Sequence, residues 1–313
     1  MSFWKQSPGP HWSHFFESLM SIDGKPYVLQ KESPYRPNFE YNLVKDEHCE
    51  EIGEFLKDHY QTYPGSRVFL TGERLIGLLG KGWIGISIQQ NDFISGVVFS
   101  RPLGTLAFAK DVMREEAGLV DFFCVHSAKR KSGIGSRLLT ALFYETTKIG
   151  RAVHIFQKEG YPMVGLPHLW TSTYCWRKRE QYVNIDLQKS LLEKKVNKVD
   201  SYLPLGAPCW NSTLTVNHTD IYECNGVYVG ITDSFHKSVP DGRSIGEVSW
   251  VWGKSNASVE VETIVDLCNY DILLMDSSLP HIKGQWSYDA RFSYYLFNVQ
   301  PMRFLDVRPA LTF

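Results

Sequence analysis

The sequence predicts an α+β protein in which a mixed central sheet is flanked by helices and a phosphate-binding turn sits at the middle. Three observations lead there. Strand-like runs at Trp83–Gln89 and Phe93–Arg101 flank Gln90-Asn91-Asp92, the pattern of an antiparallel hairpin. A third apolar run, Gly118–His126, passes through a short basic and glycine-containing segment into a helical repeat at Ile134–Thr147, and another strand follows at Ala152–Gln157. Finally, 313 residues with 43% hydrophobic content supply core material for one large domain or two ordinary ones.

Taken in order, residues 1–40 carry Pro8, Pro10, Pro26, Pro34 and Pro37, which favours an extended arm over a helix or strand. Ile52, Phe55 and Leu56 recur at helical spacing within Asp46–Tyr60, and Leu75, Ile76, Leu78 and Leu79 do so within Gly72–Leu79. After the central strand, turn, helix and strand comes a second region, from residue 185 to 313. Its strands at Asp220–Cys224, Val227–Thr232, Glu247–Trp252 and Phe292–Asn298 accompany a helix at Glu260–Cys268, echoing the first half without a glycine-rich turn. The run Arg177-Lys178-Arg179-Glu180 and a helix at Ser190–Lys198 read as solvated surface.

Charge and cysteine usage narrow the function classes. A formal net charge of −1 gives no overall attraction to nucleic acid, and no basic stretch is long enough for one. The six cysteines, Cys49, Cys124, Cys175, Cys209, Cys224 and Cys268, show no C-x-x-C pair and no metal-ligand spacing with the histidines, so free thiols in a reducing compartment and no metal are expected. Met1–Pro10 lacks the pattern of a signal peptide and no apolar run reaches bilayer length, so a cytoplasmic protein without stable membrane insertion is expected. On that basis the sequons at Asn211, Asn217 and Asn256 are chance matches.

The chemistry concentrates in Val120-Asp121-Phe122-Phe123-Cys124-Val125-His126 and the segment Arg130-Lys131-Ser132-Gly133-Ile134-Gly135-Ser136 behind it. A strand running into a helix N-terminus presents backbone N–H groups that lack intrahelical partners, and these bind anions. Gly133 and Gly135 remove Cβ atoms where a diphosphate approaches the backbone, while Lys129, Arg130 and Lys131 add charge. A diphosphate-bearing ligand is the expected occupant. Asp121 in mid-strand fits either an acid that supports the site from behind or, the favoured reading, a residue on a partly exposed strand face, and His126 and His154 read as satisfied strand-end histidines rather than bases.

Arg130-X-X-Gly133-X-Gly135 matches the pyrophosphate turn of the GNAT acyl-CoA transferases. Its neighbours resemble a narrower family, the glycylpeptide N-tetradecanoyltransferases (N-myristoyltransferases). Phe122-Phe123-Cys124-Val125-His126 is similar to that family's Phe-Leu-Cys-Val-His block, which also leads directly into a basic CoA-binding turn. Phe3-Trp4-Lys5-Gln6, Thr71–Leu79, Ile155-Phe156-Gln157, Thr171-X-X-Tyr174-X-X-Arg177, Tyr270-Asp271-Ile272 and Phe292–Asn298 resemble further family segments in the same order.

The resemblance implies two tandem GNAT-like halves: residues 1–184 binding acyl-CoA and a reduced half, 185–313, completing a peptide groove. It implies a monomeric enzyme that uses myristoyl-CoA as co-substrate and acylates proteins or peptides at an N-terminal glycine. The cofactor contacts it implies are Phe3, Trp4, Phe122, Phe123, Cys124, Val125, Arg130, Lys131, Ser132, Gly133, Ile134 and Gly135. The backbone amides of Phe122 and Phe123 take the positions of the family's oxyanion hole, and the C-terminal carboxylate of Phe313 that of its base. An α-carboxyl and an α-amine differ by about 4 pKa units, roughly 6 kcal/mol in water, so such a base must be buried to narrow the gap.

Two departures keep other readings open. Gly160-Tyr161-Pro162-Met163 stands where the family has Tyr-Thr-Ala-Gly, and His59–Gly65 lacks the carboxylates of its acidic loop. The turn itself does not specify acyl length, so a GNAT-type acetyltransferase fits it, and a non-catalytic binding homologue fits the lost block.

Overall fold

The structure, a computed structural model, describes residues 27–28, 36–62, 66–108, 113–159, 170–178, 197–199, 219–239, 241–253, 258–268, 270–276, 287–297 and 299–300. In chain order the elements are β1 (Tyr27–Val28), β2 (Asn42–Leu43), α1 (Cys49–His59), β3 (Gln61–Thr62), β4 (Ser66–Val68), α2 (Gly72–Leu79), β5 (Ile84–Gln90), β6 (Phe93–Phe108) and β7 (Met113–Val125). They continue with α3 (Ile134–Lys148), β8 (Val153–Glu159), β9 (Trp170–Lys178), β10 (Asn197–Val199), β11 (Thr219–Cys224), β12 (Val227–Ser238), β13 (Ser244–Trp252), α4 (Ser258–Leu267), β14 (Ile272–Asp276), β15 (Ser287–Phe297) and β16 (Val299–Gln300). The chain forms two compact units, one from residues 1–60, 70–171 and 292–312, the other built mainly from 61–69 and 172–291.

In the first unit β2, β5, β6 and β7 form an antiparallel run, β8 lies parallel to β7, and β15 closes antiparallel on β8. A parallel neighbour needs a crossover, and α3 is that crossover. Its apolar face, Ile134, Leu138 and Leu142, packs on Ile86, Ile88 and Val98 of the sheet. Gly96 makes that approach possible, since a Cβ there would lie 2.8 Å from Leu138 Cδ1. Helix α1 contacts β6 and β7 as well, and α2 contacts β6. Ile52, Phe55 and Leu56 of α1 are buried, as their spacing predicts. Thr71 caps α2 by accepting the Arg74 N–H, and Gly80 ends it at φ 71°.

The second unit orders its strands β10, β11, β12, β13, β14 and β9, with only β13 and β14 parallel, and α4 links those two. Its core joins Val229, Ile231 and Val248 to Val261 and Ile264 of the helix and to Leu273 and Met275 of β14. Both units therefore run antiparallel strands into a helix that crosses to a parallel strand.

Two expectations change. Strands β6 and β7 extend well beyond 93–101 and 118–126, pairing as far as Phe108↔Met113. Pro102 and Gly104 lie within the ladder, which absorbs them in a register shift between those residues. Of the helix expected at Ser190–Lys198, Asn197 and Lys198 lie in β10, paired with Glu223 and Tyr222, and the remainder lies outside the described residues. Strands join the partners they hydrogen-bond: Phe292–Phe297 follow β8 into the first unit, and Ser66–Val68 follow β12 into the second.

Beneath the first unit's sheet His154 is buried, with Nε2 3.0 Å from Ser100 Oγ. Burial, aided by the Arg151 charge, lowers its pKa to about 3, so it is neutral at pH 7 and serves packing. Below the unfolded value of about 6.5 the unfolded chain binds a proton that the native state refuses. Stability is therefore expected to fall by about 1 kcal/mol per pH unit from about pH 6.5 toward pH 3. Urea midpoints at about pH 7.5 and pH 5 check this, and His154→Gln should flatten the dependence.

Candidate functional site: a strand bulge beside an uncapped helix N-terminus

The centre of the first unit is an irregularity in β7. Val97 pairs with Cys124, but the next pair is Phe99 with Asp121, so Phe122 and Phe123 together face Val98. Such a two-against-one bulge bends the strand and leaves backbone groups out of the ladder. Phe122 sits at φ 45°, a left-handed conformation uncommon for a bulky residue. Its ring is held on two sides, at 6.3 Å from Phe99 in an edge arrangement and 6.0 Å from Tyr60. Packing thus maintains the strained residue.

The Phe122 N–H donates to Asp121 Oδ1 at 2.8 Å. Asp121 Oδ2 in turn lies 2.9 Å from Arg101 Nε, and Arg101 Nη1 donates to the Leu78 carbonyl at the end of α2. Both charged side chains are partly exposed, so the pair is a modest contributor to stability. Asp121 does lie on a partly exposed strand face, and it also completes the bulge.

Phe123, in contrast, is exposed, and its ring lies over the start of α3: a Cβ on Gly135 would come within 3.0 Å of Phe123 Cζ. Glycine at 135 therefore lets the bulge and the helix N-terminus close on each other. Cys124 is buried and its thiol is pushed up to about 12, chiefly by desolvation, with Arg130 acting in the other direction. That thiol is inert at neutral pH.

Beyond Val125 the chain makes one 3-10 turn, Ser127–Lys129, capped by His126 Nδ1, which accepts the Ala128 N–H at 3.2 Å. His126 is thus a satisfied strand-end histidine. Its ring centroid lies 4.0 Å from that of His59 at the end of α1. The His59 pKa is lowered, first by burial and then by His126, while Arg130 acts the same way and Asp58 opposes. Arg130 holds this junction together: Nη2 donates to the His59 carbonyl at 2.9 Å and Nε to the Val125 carbonyl at 3.4 Å.

Lys131 at φ 65° and Gly133 at φ 87° turn the chain into α3. Gly133 is the N-cap and provides no side-chain acceptor for the first-turn N–H groups. The first intrahelical bond, Arg137 N–H to the Gly133 carbonyl, confirms where the helix begins. Lys129, Lys131, Ser132 and Gly133 are exposed around that end, while buried Ile134 anchors it to the sheet. An uncapped N-terminus with a positive dipole end, backed by lysines and closely approachable through glycine, suits a diphosphate.

Phe122, Phe123, Cys124, Val125, Arg130, Lys131, Ser132, Gly133, Ile134 and Gly135 lie in one continuous region. Phe3, Trp4, Phe313 and Gly160–Met163 lie outside the described residues. Arg130 is engaged with two carbonyls, leaving Lys129 and Lys131 as the less committed cations at the turn. The sequence did not reveal Arg101, Tyr60 and His59 as neighbours of the bulge. Their partners there, Asp121, Phe122 and Arg130, lie 20 or more residues away, and only the sheet register and helix packing bring them together. Among the described residues no three metal-ligating side chains converge, and no helix is long and apolar enough to cross a membrane.

No family model matches this sequence, and no curated protein matches it in sequence. Solved structures do match. A crystal structure of Saccharomyces cerevisiae N-myristoyltransferase with bound myristoyl-CoA aligns with a TM-score of 0.64 and 13% identity, covering 95% of this chain and 92% of that chain. Another, with bound myristoyl-CoA and inhibitors, gives a TM-score of 0.67 at 12% identity over 96% and 89% of the two chains. Over nearly its whole length, therefore, this chain is similar in fold to an N-myristoyltransferase.

Proposed function

We propose that the protein is an acyl-CoA:protein N-acyltransferase that moves a tetradecanoyl group from myristoyl-CoA to the N-terminal glycine amine of a protein substrate. The observation that carries this is the bulge at Phe122–Phe123, joined through the turn that ends at Gly133 to the uncapped N-terminus of α3. One end suits a diphosphate and the other suits a carbonyl, which are the two recognisable parts of an acyl-CoA thioester.

In this reading the N–H groups at the start of α3, with Lys129 and Lys131, hold the diphosphate. Gly133, where a Cβ would meet nothing within 4 Å, leaves the approach open, and the bulge amides receive the thioester oxygen as negative charge develops there. The peptide amine, freed of a proton by the Phe313 carboxylate that the family resemblance supplies, attacks the carbonyl carbon. The new C–N bond forms as the C–S bond breaks. One proton leaves with the CoA thiol and one enters solvent.

The test is myristoyl-CoA binding and acylation of a Gly-initiated peptide by the same preparation, with acetyl-CoA as competitor. A long acyl chain offers about a dozen extra methylenes, each worth about 0.8 kcal/mol on full burial, so myristoyl-CoA should win by orders of magnitude. Equal affinities would replace this reading with acetyl transfer. Binding without transfer would indicate a non-catalytic homologue. One residue appended after Phe313 should abolish transfer while leaving myristoyl-CoA binding intact.

A further inference from the structure

The Phe122 amide has a partner, because a carboxylate holds it. Asp121 Oδ1 accepts its N–H at 2.8 Å, and Asp121 Oδ2 stays 2.9 Å from Arg101 Nε, which belongs to the neighbouring strand. A bulge leaves such an N–H without a ladder partner, and an N–H shielded from water needs an acceptor. Here the acceptor is a full anion, stronger than any neutral carbonyl.

We propose that Asp121 is a positioning residue that caps the Phe122 amide until charge develops on the thioester oxygen, with Arg101 as the fixed post on which the carboxylate stays anchored when it lets go. This rests on the acyl-transfer reading. A ground-state thioester oxygen is neutral and competes poorly with Asp121 for the N–H. The tetrahedral oxyanion is charged and competes on equal terms. The cap therefore removes most of what a neutral carbonyl would gain from this amide, and the amide is given up to the oxyanion. Asp121 can yield at small cost because the pair with Arg101 survives the exchange, and Arg101 is itself tied to the Leu78 carbonyl.

The readout is the ratio of affinities for myristoyl-CoA and for free CoA, which has no carbonyl. Calorimetric titrations without peptide give both values for wild type, Asp121→Ala and Asp121→Asn. Removing the competing anion should raise the preference for myristoyl-CoA about tenfold in Asp121→Ala, through tighter acyl-CoA binding, with CoA affinity unchanged. Asp121→Asn keeps an acceptor for the amide, and so the bulge, but without the charge, and should raise the preference about threefold. A role limited to holding the strand would not make a substitution bind one ligand better than wild type does. If the ratio in Asp121→Asn stays at or below the wild-type ratio, the proposal is overturned while the acyltransferase reading stands. If wild type binds neither ligand, both fall together.

Discussion

Gly135→Asp is expected to weaken myristoyl-CoA binding about 100-fold while leaving the protein at least as stable as wild type. The two effects have opposite signs because the same helix end is involved in both. A carboxylate in the first turn of α3 complements the helix dipole and can satisfy an N–H that Gly133 leaves uncapped, worth about 0.3–1 kcal/mol. The contact that limits a side chain at position 135 is Phe123 Cζ, 3.0 Å from a built Cβ, and that ring is 41% exposed and free to swing outward. Toward a diphosphate the carboxylate is repulsive. Two like charges at about 5 Å in a surface environment cost about 2–3 kcal/mol in total, the free-energy equivalent of roughly 100-fold. Titration at low and high salt, with a thermal melt of the same sample, separates the terms. An affinity unchanged by the substitution would mean that the diphosphate lies elsewhere.

Gly53→Ala is expected to destabilise the first unit by about 2 kcal/mol, against the usual gain of about 1 kcal/mol when alanine replaces glycine inside a helix. A Cβ at position 53 would lie 2.3 Å from the Leu70 carbonyl oxygen and 3.3 Å from its carbon. Those are backbone atoms and cannot rotate away, so α1 must lift from the chain entering α2. The consequence reaches the site, because α1 ends at His59 and Tyr60, which hold Arg130 and the Phe122 ring. Loss of acyl-CoA affinity should therefore accompany the lowered denaturation midpoint. A neutral or stabilising result would show that α1 does not pack so closely on Leu70.

Both experiments act on glycines whose importance was unequal in the sequence. Gly135 stood in a recognisable motif, whereas Gly53 was one residue in an ordinary amphipathic helix. The difference is one of range. Phosphate turns are local: their N–H groups, glycines and lysines are contiguous, so Lys129–Gly135 could be read directly. Close approach between α1 and the Leu70 backbone depends on packing, which no local pattern encodes.

The bulge shows the same division within three residues. Phe122 and Phe123 were legible through family resemblance, but their opposite fates were not: one ring buried between Phe99 and Tyr60, the other exposed over Gly135. A period-2 strand places neighbours on opposite faces, and an inserted residue resets that alternation where sequence does not say. Asp121 had looked like a solvent-facing strand residue because its partner, Arg101, is met only across the β6–β7 register.

By itself, then, the sequence determined the elements whose signals are local: the amphipathic helices α1, α2 and α3, the hairpin at Asn91-Asp92, and the strand into the phosphate turn. The tertiary structure decided what depends on pairing between distant segments. It placed β15 on β8 and β4 on β12, turned Asn197 and Lys198 into a strand, and gave the Phe122 amide to Asp121. The physical reason is that hydrogen-bond register and side-chain packing are properties of pairs of segments, whereas helix periodicity and turn chemistry belong to one segment at a time.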